Sequence, residues 1–177
     1  SISDQILKQN SEAYRRIRNT LRFLLGNLKD FDPAKDLLPV NELLTLDQWV
    51  MNRLHEVQAK ILEDYHVYAF HRVSQSLHNF CVADMGGFYL DVIKDRLYTT
   101  EDHSHARKSA QTVLYHIAES MVRWIAPILS FTADEVWQFL PGDRTESVFL
   151  SEWYQLPAKV DIGVNWSVMD VVQKTVA

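Results

Sequence analysis

The sequence is poor in the residues that build disulfide-rich, metal-bound and turn-rich folds. It has one cysteine, Cys81, which excludes an internal disulfide and a cysteine-rich zinc site. Five glycines and five prolines in 177 residues exclude a turn-rich β architecture or a low-complexity array, and a hydrophobic content of 47% excludes disorder. We therefore expect a globular chain with a well-buried core, in a reducing environment.

Long apolar runs and known catalytic motifs are also missing. No apolar run approaches 18 residues and the amino end does not resemble a signal peptide, so we expect no membrane span, no export and a cytoplasmic location. The chain contains no glycine-rich phosphate loop and no nucleophile elbow. The sequence therefore predicts no active site in this chain.

Histidines and carboxylates give only a weak metal signal. Glu63-x-x-His66 matches one half of the paired motif of di-iron helix bundles, and the nearest second copy, Asp102-x-x-His105, falls in a predicted turn. Cys81 stands at an apolar position beside Phe80, which favours packing over nucleophilic chemistry. We expect no metal and no other cofactor in this chain.

Charge is distributed unevenly along the chain. The net charge is −5, yet residues 1–30 carry six Lys/Arg against three acids, whereas residues 31–177 carry twelve against twenty. An acidic body with one basic edge can bind a polyanion locally while the remainder repels it. This favours a single docking orientation.

The basic edge coincides with a predicted amphipathic helix over residues 11–29. Its apolar stripe is Ala13, Ile17, Leu21, Leu24 and Leu28, and its cations are Lys8, Arg15, Arg22 and Lys29 at seven-residue spacing, with Arg18 beside them. At 1.5 Å rise per residue these cations would form a ridge roughly 30 Å long. The ridge is interpreted either as a phosphate-binding face or as an ordinary solvated face.

Further apolar periodicity predicts an all-α bundle of about five helices. The spacing of Thr45-Leu-Asp-Gln48 predicts a capping box at the start of the second helix, and Thr132-Ala-Asp-Glu135 predicts another at the start of the fifth. Gly86-Gly87 is expected to break or bend the third helix, and Trp124 is expected in the core. We predict a helical bundle over residues 1–141 and an irregular C-terminal extension over residues 142–177, packed on the bundle or leaving it.

Aromatic residues near cations suggest a way to hold RNA. Tyr14 flanks the basic ridge, and Trp49 lies just off the apolar stripe of the second helix with Arg53 one turn beyond. Single-stranded RNA is bound by stacking bases on aromatic rings while cations hold the phosphates. The alternative for Trp49 is that it widens the hydrophobic core.

Three segments resemble one enzyme family. Residues 126–137, APILSFTADEVW, resemble the C-terminal helix junction of the isoleucyl, valyl and leucyl branch of class I aminoacyl-tRNA synthetases. Residues 88–98, FYLDVIKDRLY, and residues 14–25, YRRIRNTLRFLL, resemble the bacterial isoleucyl enzymes. The three segments follow the family order and extend from the first predicted helix to the fifth.

The resemblance implies the helical anticodon-binding domain alone. The catalytic signatures of the family, its editing domain and its cysteine-bound zinc module are absent from the sequence, so ATP would bind in a catalytic domain outside this chain. The implied partners are the anticodon stem-loop of tRNA(Ile) and the catalytic and editing domains of the same polypeptide, with no membrane and with a monomeric state. Two other functions stay open: a helical protein–protein module with an acidic partner, and a scaffold that has lost its tRNA contacts.

The candidate RNA-binding residues follow from the ridge and the aromatics together. They are Lys8, Tyr14, Arg15, Arg18, Asn19, Arg22, Lys29, Trp49 and Arg53. Ridge cations would hold phosphates and fix register, because phosphate contacts carry no sequence information. Asn19, Trp49 and Arg53 are the first candidates for reading unpaired bases, whose edges are accessible in a loop.

Overall fold

Helices supply all regular secondary structure in the part of the chain that the structure describes. The computed structural model describes the backbone of residues 2–159 and the side chains of residues 11–159. The α-helices are α1 (Ile2–Gly26), α2 (Pro33–Asp36), α3 (Thr45–His66), α4 (Phe70–Asn79), α5 (Leu90–Thr99), α6 (His105–Ile125) and α7 (Ser130–Phe139); a π-helix (Phe80–Tyr89) joins α4 to α5, and 3-10 turns cover Val40–Glu42 and Val148–Leu150. The predicted all-α bundle is confirmed.

The core is centred on α6. Fifteen of its 21 residues are buried, and it packs against α1, α3, α5 and α7. Trp124, near the end of α6, is fully buried, and its indole N–H donates to Oε1 of Gln58 at 2.8 Å. The prediction that Trp124 is a core residue is confirmed.

The capping box predicted for α3 is wrong, although the helix does begin at Thr45. The N-cap is Leu44 and it makes no side-chain cap. Its backbone N–H donates instead to the Ser109 hydroxyl of α6 at 2.9 Å. The Gln48 side chain donates to the carbonyls of Val40 and Leu43, both at 3.0 Å, and not to the start of its own helix. Contacts with neighbouring elements therefore replace the local capping pattern.

The capping box predicted for α7 is also wrong. The helix begins at Ser130, two residues before Thr132, and its N-cap Leu129 makes no side-chain hydrogen bond. The Ser130 hydroxyl donates back to the carbonyl of Ala126 at 2.9 Å. The Thr132 hydroxyl lies 2.9 Å from the Tyr14 hydroxyl of α1. Thr132 thus joins two helices rather than starting one.

The paired glycines do not break the third predicted helix. The chain stays helical from α4 through the π-helix to α5, which widens the backbone instead of interrupting it. A Cβ on Gly86 would lie 2.9 Å from the Cys81 carbonyl and 3.6 Å from Nη1 of Arg16. Gly86 is therefore required by close approach of backbone within the π-helix and by the packing of α1 nearby.

Residues 151–159 run along the outside of α3 and α6. The Tyr154 carbonyl accepts from Nε2 of Gln58 at 2.9 Å, and the Tyr154 hydroxyl lies 2.8 Å from Nδ1 of His116. Trp153 stacks on Tyr65 with ring centroids 5.6 Å apart. Residues 160–177, the rest of the predicted irregular extension, lie outside the described residues.

Candidate nucleic-acid interface

On α1 the buried residues and the exposed arginines lie on different faces of the helix. Ile17, Leu21 and Leu24 are at most 5% exposed and belong to the hydrophobic core. Arg15, Arg18 and Arg22 are all exposed. Their spacing of three, four and seven residues places them along one side of an α-helix, about 10 Å from first to last. We call these three residues the arginine face.

The arginine face differs from the described arginines outside α1 in its lack of ion pairs with described carboxylates, a property that it shares with Arg16 of α1. Every described arginine outside α1 has a carboxylate within 4.0 Å: Arg53, Arg72, Arg96, Arg107, Arg123 and Arg144. None of the arginine-face residues has one among the residues whose side chains are described. Free guanidinium donors in water are suited to bidentate phosphate binding.

The ridge of cations is shorter at its C-terminal end than predicted. Helix α1 ends at Gly26, so the predicted extension of the helix to Lys29 is wrong, and Lys29 is an exposed residue of the following turn. The end is fixed by tertiary contacts: Gln111 of α6 donates to the Asn27 carbonyl and to Oδ1 of Asp30, both at 2.9 Å. Lys8 lies within α1, and its side chain is outside the described part of the chain.

Tyr14 and Asn19 are both accessible on α1. Tyr14 is 37% exposed and its hydroxyl is paired with Thr132. Asn19 follows Arg18 directly and is exposed. RNA contacts by these two residues stay predictions.

Trp49 does not offer a surface to RNA. Its side chain is 4% exposed, and its ring meets Phe88 edge-on with centroids 5.4 Å apart. A base needs an open ring face to stack on. The interpretation of Trp49 as a core residue is confirmed, and the hypothesis that a base stacks on it is wrong.

Arg53 is already engaged by two carboxylates. Its guanidinium lies 3.1 Å from the buried Asp84 and 3.1 Å from Glu56. Burial opposes its charge, but pairing with these two carboxylates raises the pKa of Arg53 above its ordinary value. Contact with a phosphate or a base would have to replace these ion pairs. Arg53 is therefore a weaker candidate than the arginine face.

A groove that sequence analysis missed lies between α1 and α7. Its volume is about 190 Å³, and it is lined by Arg18, Leu21, Arg22 and Leu25 from α1 and by Thr132, Glu135, Val136 and Phe139 from α7. Phe139 is 71% exposed and Phe131, on the same helix, is 95% exposed. The sequence did contain a signal for this surface. Phe131 and Phe139 are two phenylalanines of α7 that do not lie on the helix side of the buried Val136 and Trp137.

The histidines, carboxylates and Cys81 that were weighed as metal ligands or nucleophile form no candidate site among the described side chains. Within residues 11–159 no group of three or more His, Cys, Asp or Glu could hold a metal ion. Cys81 is fully buried, and burial raises the pKa of its thiol to about 12, so it is not poised as a nucleophile.

None of the described helices combines the length and the apolar character that a membrane crossing requires.

Comparisons with known proteins show the family to which the chain belongs. A profile for the anticodon-binding domain of tRNA ligase matches residues 47–177. The chain is similar to isoleucine–tRNA ligases: that of Saccharophagus degradans (60% identity over 157 residues, covering 89% of this chain and 17% of that protein), that of Pseudomonas fluorescens strain SBW25 (56% over 167 residues, 92% and 18%) and that of a Shewanella species (59% over 167 residues, 94% and 18%). The chain spans less than a fifth of the length of these relatives. Because the profile matches well over half of the chain, the chain belongs to the family of anticodon-binding domains of tRNA ligases.

Proposed function

We propose that this chain binds the anticodon arm of tRNA(Ile) and that the arginine face holds the phosphates of that arm. The chain belongs to the anticodon-binding family, and relatives at 56–60% identity carry the name isoleucine–tRNA ligase. Activation of isoleucine with ATP is assigned to parts of the ligase outside this chain. Binding energy from a remote arm of the tRNA can still raise the reaction rate, because it helps to orient the acceptor end.

The observation that carries the proposal is the absence of described ion pairs at the arginine face. Arg15, Arg18 and Arg22 are exposed and have no described carboxylate within 4.0 Å, although acids outnumber bases in the chain. Guanidinium groups placed along one helix side can each bind one phosphate of a nucleic-acid backbone. The acidic remainder of the chain repels the same backbone, which restricts the docking orientation.

A titration at two salt concentrations tests this proposal. The purified chain is titrated with an RNA hairpin of the anticodon arm at 50 and 200 mM salt. Three phosphate contacts would lower the affinity about 20- to 40-fold across that range, because each contact releases condensed counterions. The variant Arg15→Gln/Arg18→Gln/Arg22→Gln should bind more weakly and with a smaller salt dependence, and circular dichroism checks that its helicity is unchanged.

Two results would contradict the proposal. One is the failure of the wild-type chain to bind the hairpin at 50 mM salt. The other is a folded triple variant that binds as tightly as wild type. Either result would favour the protein–protein or scaffold alternatives for this surface.

A further inference from the structure

We propose that the groove between α1 and α7 receives one unpaired base of the bound RNA, stacked on Phe139 and hydrogen-bonded by Glu135. The inference rests on the proposed function, since it requires that RNA lie along the arginine face. Trp49 is buried and cannot stack on a base, and the groove is proposed to bind a base in its place.

The groove has an apolar floor between two rows of polar and aromatic side chains. Leu21 and Val136 are 1% and 7% exposed, so their side chains form a closed base between the helices. Thr132 lines the groove and is hydrogen-bonded to Tyr14, which ties α1 to α7. These apolar side chains can contact the ring of a base and offer no hydrogen bond to a hydrated phosphate.

Phe139 provides the stacking surface. It is 71% exposed at the end of α7 and lines the same groove as Arg18 and Arg22. Both arginines are without an ion pair among the described side chains, so their donors are available to the phosphates on either side of a stacked base. An aromatic ring beside free cations is the arrangement by which proteins bind single-stranded nucleic acid.

The carboxylate of Glu135 favours a base over a phosphate in the groove. It is an exposed carboxylate that lines the groove, and it lies more than 4.0 Å from Arg18 and Arg22, with which it forms no ion pair. A carboxylate repels phosphate but accepts hydrogen bonds from the amino groups of bases. Uracil offers only its N3–H, which lies between two carbonyl oxygens that a carboxylate repels, so the groove should prefer adenine, guanine or cytosine to uracil.

Phe131 offers a matched control for Phe139. Both are phenylalanines of α7 and both are exposed, at 95% and 71% respectively. Only Phe139 of these two lines the groove. A general loss of exposed apolar surface would affect both substitutions equally, whereas loss of a stacking site would affect one.

The test compares variants in binding to two anticodon-arm hairpins, one with an all-uridine loop and one with adenine or guanine at loop positions. Phe139→Ala should weaken binding of the second hairpin about 5- to 150-fold at an unchanged salt slope. Phe139→Trp should restore binding and Phe131→Ala should change it less than about twofold. Glu135→Ala should remove the preference for the second hairpin, which we expect to be about fivefold or more in wild type.

The outcomes separate the two proposals. If wild type binds a hairpin with a salt-dependent affinity but Phe139→Ala behaves like Phe131→Ala, the groove does not bind a base and the function of the arginine face stands. If wild type binds neither hairpin, the proposed function and this inference fail together. Unchanged circular dichroism in each variant excludes loss of binding through misfolding.

Discussion

The hydroxyl groups of Tyr14 and Thr132 lie 2.9 Å apart and join α1 to α7, across 118 residues of sequence. The contact stands beside the groove that Thr132 lines together with Arg18 and Arg22. Thr132 lies within α7, two residues after the helix begins, so its hydroxyl is available for this contact with α1. This exposed hydrogen bond adds to the packing of α1 against α7, the two helices that form the candidate RNA surface.

Removal of the hydrogen bond between Tyr14 and Thr132 should lower the stability of the fold slightly, and by the same amount whichever hydroxyl is removed. Tyr14→Phe and Thr132→Val should each lower the free energy of unfolding by about 0.5–1 kcal/mol, because each removes the same exposed hydrogen bond. The double variant should be as stable as the less stable of the two single variants. Urea denaturation of the four proteins measures this. Additive losses would show that the two hydroxyls do not form a bond in solution.

Replacement of Trp49 should affect folding and not base recognition. Trp49→Ala removes a buried aromatic side chain packed on Phe88, so it should cost about 3–5 kcal/mol of stability. Phe131→Ala, at an exposed aromatic, should stay within about 0.5 kcal/mol of wild type. Urea denaturation midpoints compare the two. A cost below about 1 kcal/mol for Trp49→Ala would place its ring outside the core.

A buried histidine should make the fold sensitive to mild acid. His116 is 2% exposed and one ring nitrogen lies 2.8 Å from the Tyr154 hydroxyl. Burial lowers the pKa of His116 from 6.5 to about 4; the charge of Glu119 opposes this shift and His55 adds to it. The neutral imidazole is therefore the form that the folded state accommodates.

The sign of the pH dependence follows from proton uptake. Between pH 6.5 and 4 the unfolded chain protonates His116 and the folded chain does not, so stability should fall as the pH falls. The expected loss from this group is about 2 kcal/mol between pH 6.5 and 5. Urea denaturation at several pH values measures it, with His116→Gln as the variant that should flatten this part of the profile. An equally steep profile in the variant would assign the acid sensitivity to other groups.

The helices were predictable because the buried side of a helix places apolar residues every three or four positions in the sequence. Ile17, Leu21 and Leu24 recur on one face of α1 and are all buried, and Trp124 follows the same logic in α6. Cations on another face of α1 could be recognised from the same helical spacing. Amphipathic spacing thus determined both the bundle and its basic surface.

Helix starts and the site of base contact were not predictable from local pattern. The capping box at Thr45 is not formed because the N-cap of α3 is Leu44, whose backbone N–H donates to Ser109 of α6. The capping box at Thr132 is not formed because α7 already begins at Ser130. Trp49 was placed at the edge of a helical stripe, and only the packing of Phe88 on it decides that it is buried.

The groove was missed for a related reason. Arg18 and Phe139 are 121 residues apart in sequence, and neither α1 nor α7 alone shows that their side chains line one groove. Contacts of this kind depend on how two helices pack, which local periodicity does not specify.

The most direct test of the account is the slope of log affinity against log salt concentration for the anticodon-arm hairpin. Arg15→Gln/Arg22→Gln should lower the magnitude of the slope by about 1.4–1.8, because two phosphate contacts are lost. The matched control is Lys35→Gln/Lys60→Gln, which removes the same charge from exposed lysines of α2 and α3 and should leave the slope close to that of wild type. An unaltered slope in the folded arginine variant, or an equal decrease in both variants, would show that the arginine face does not bind the phosphates of the RNA.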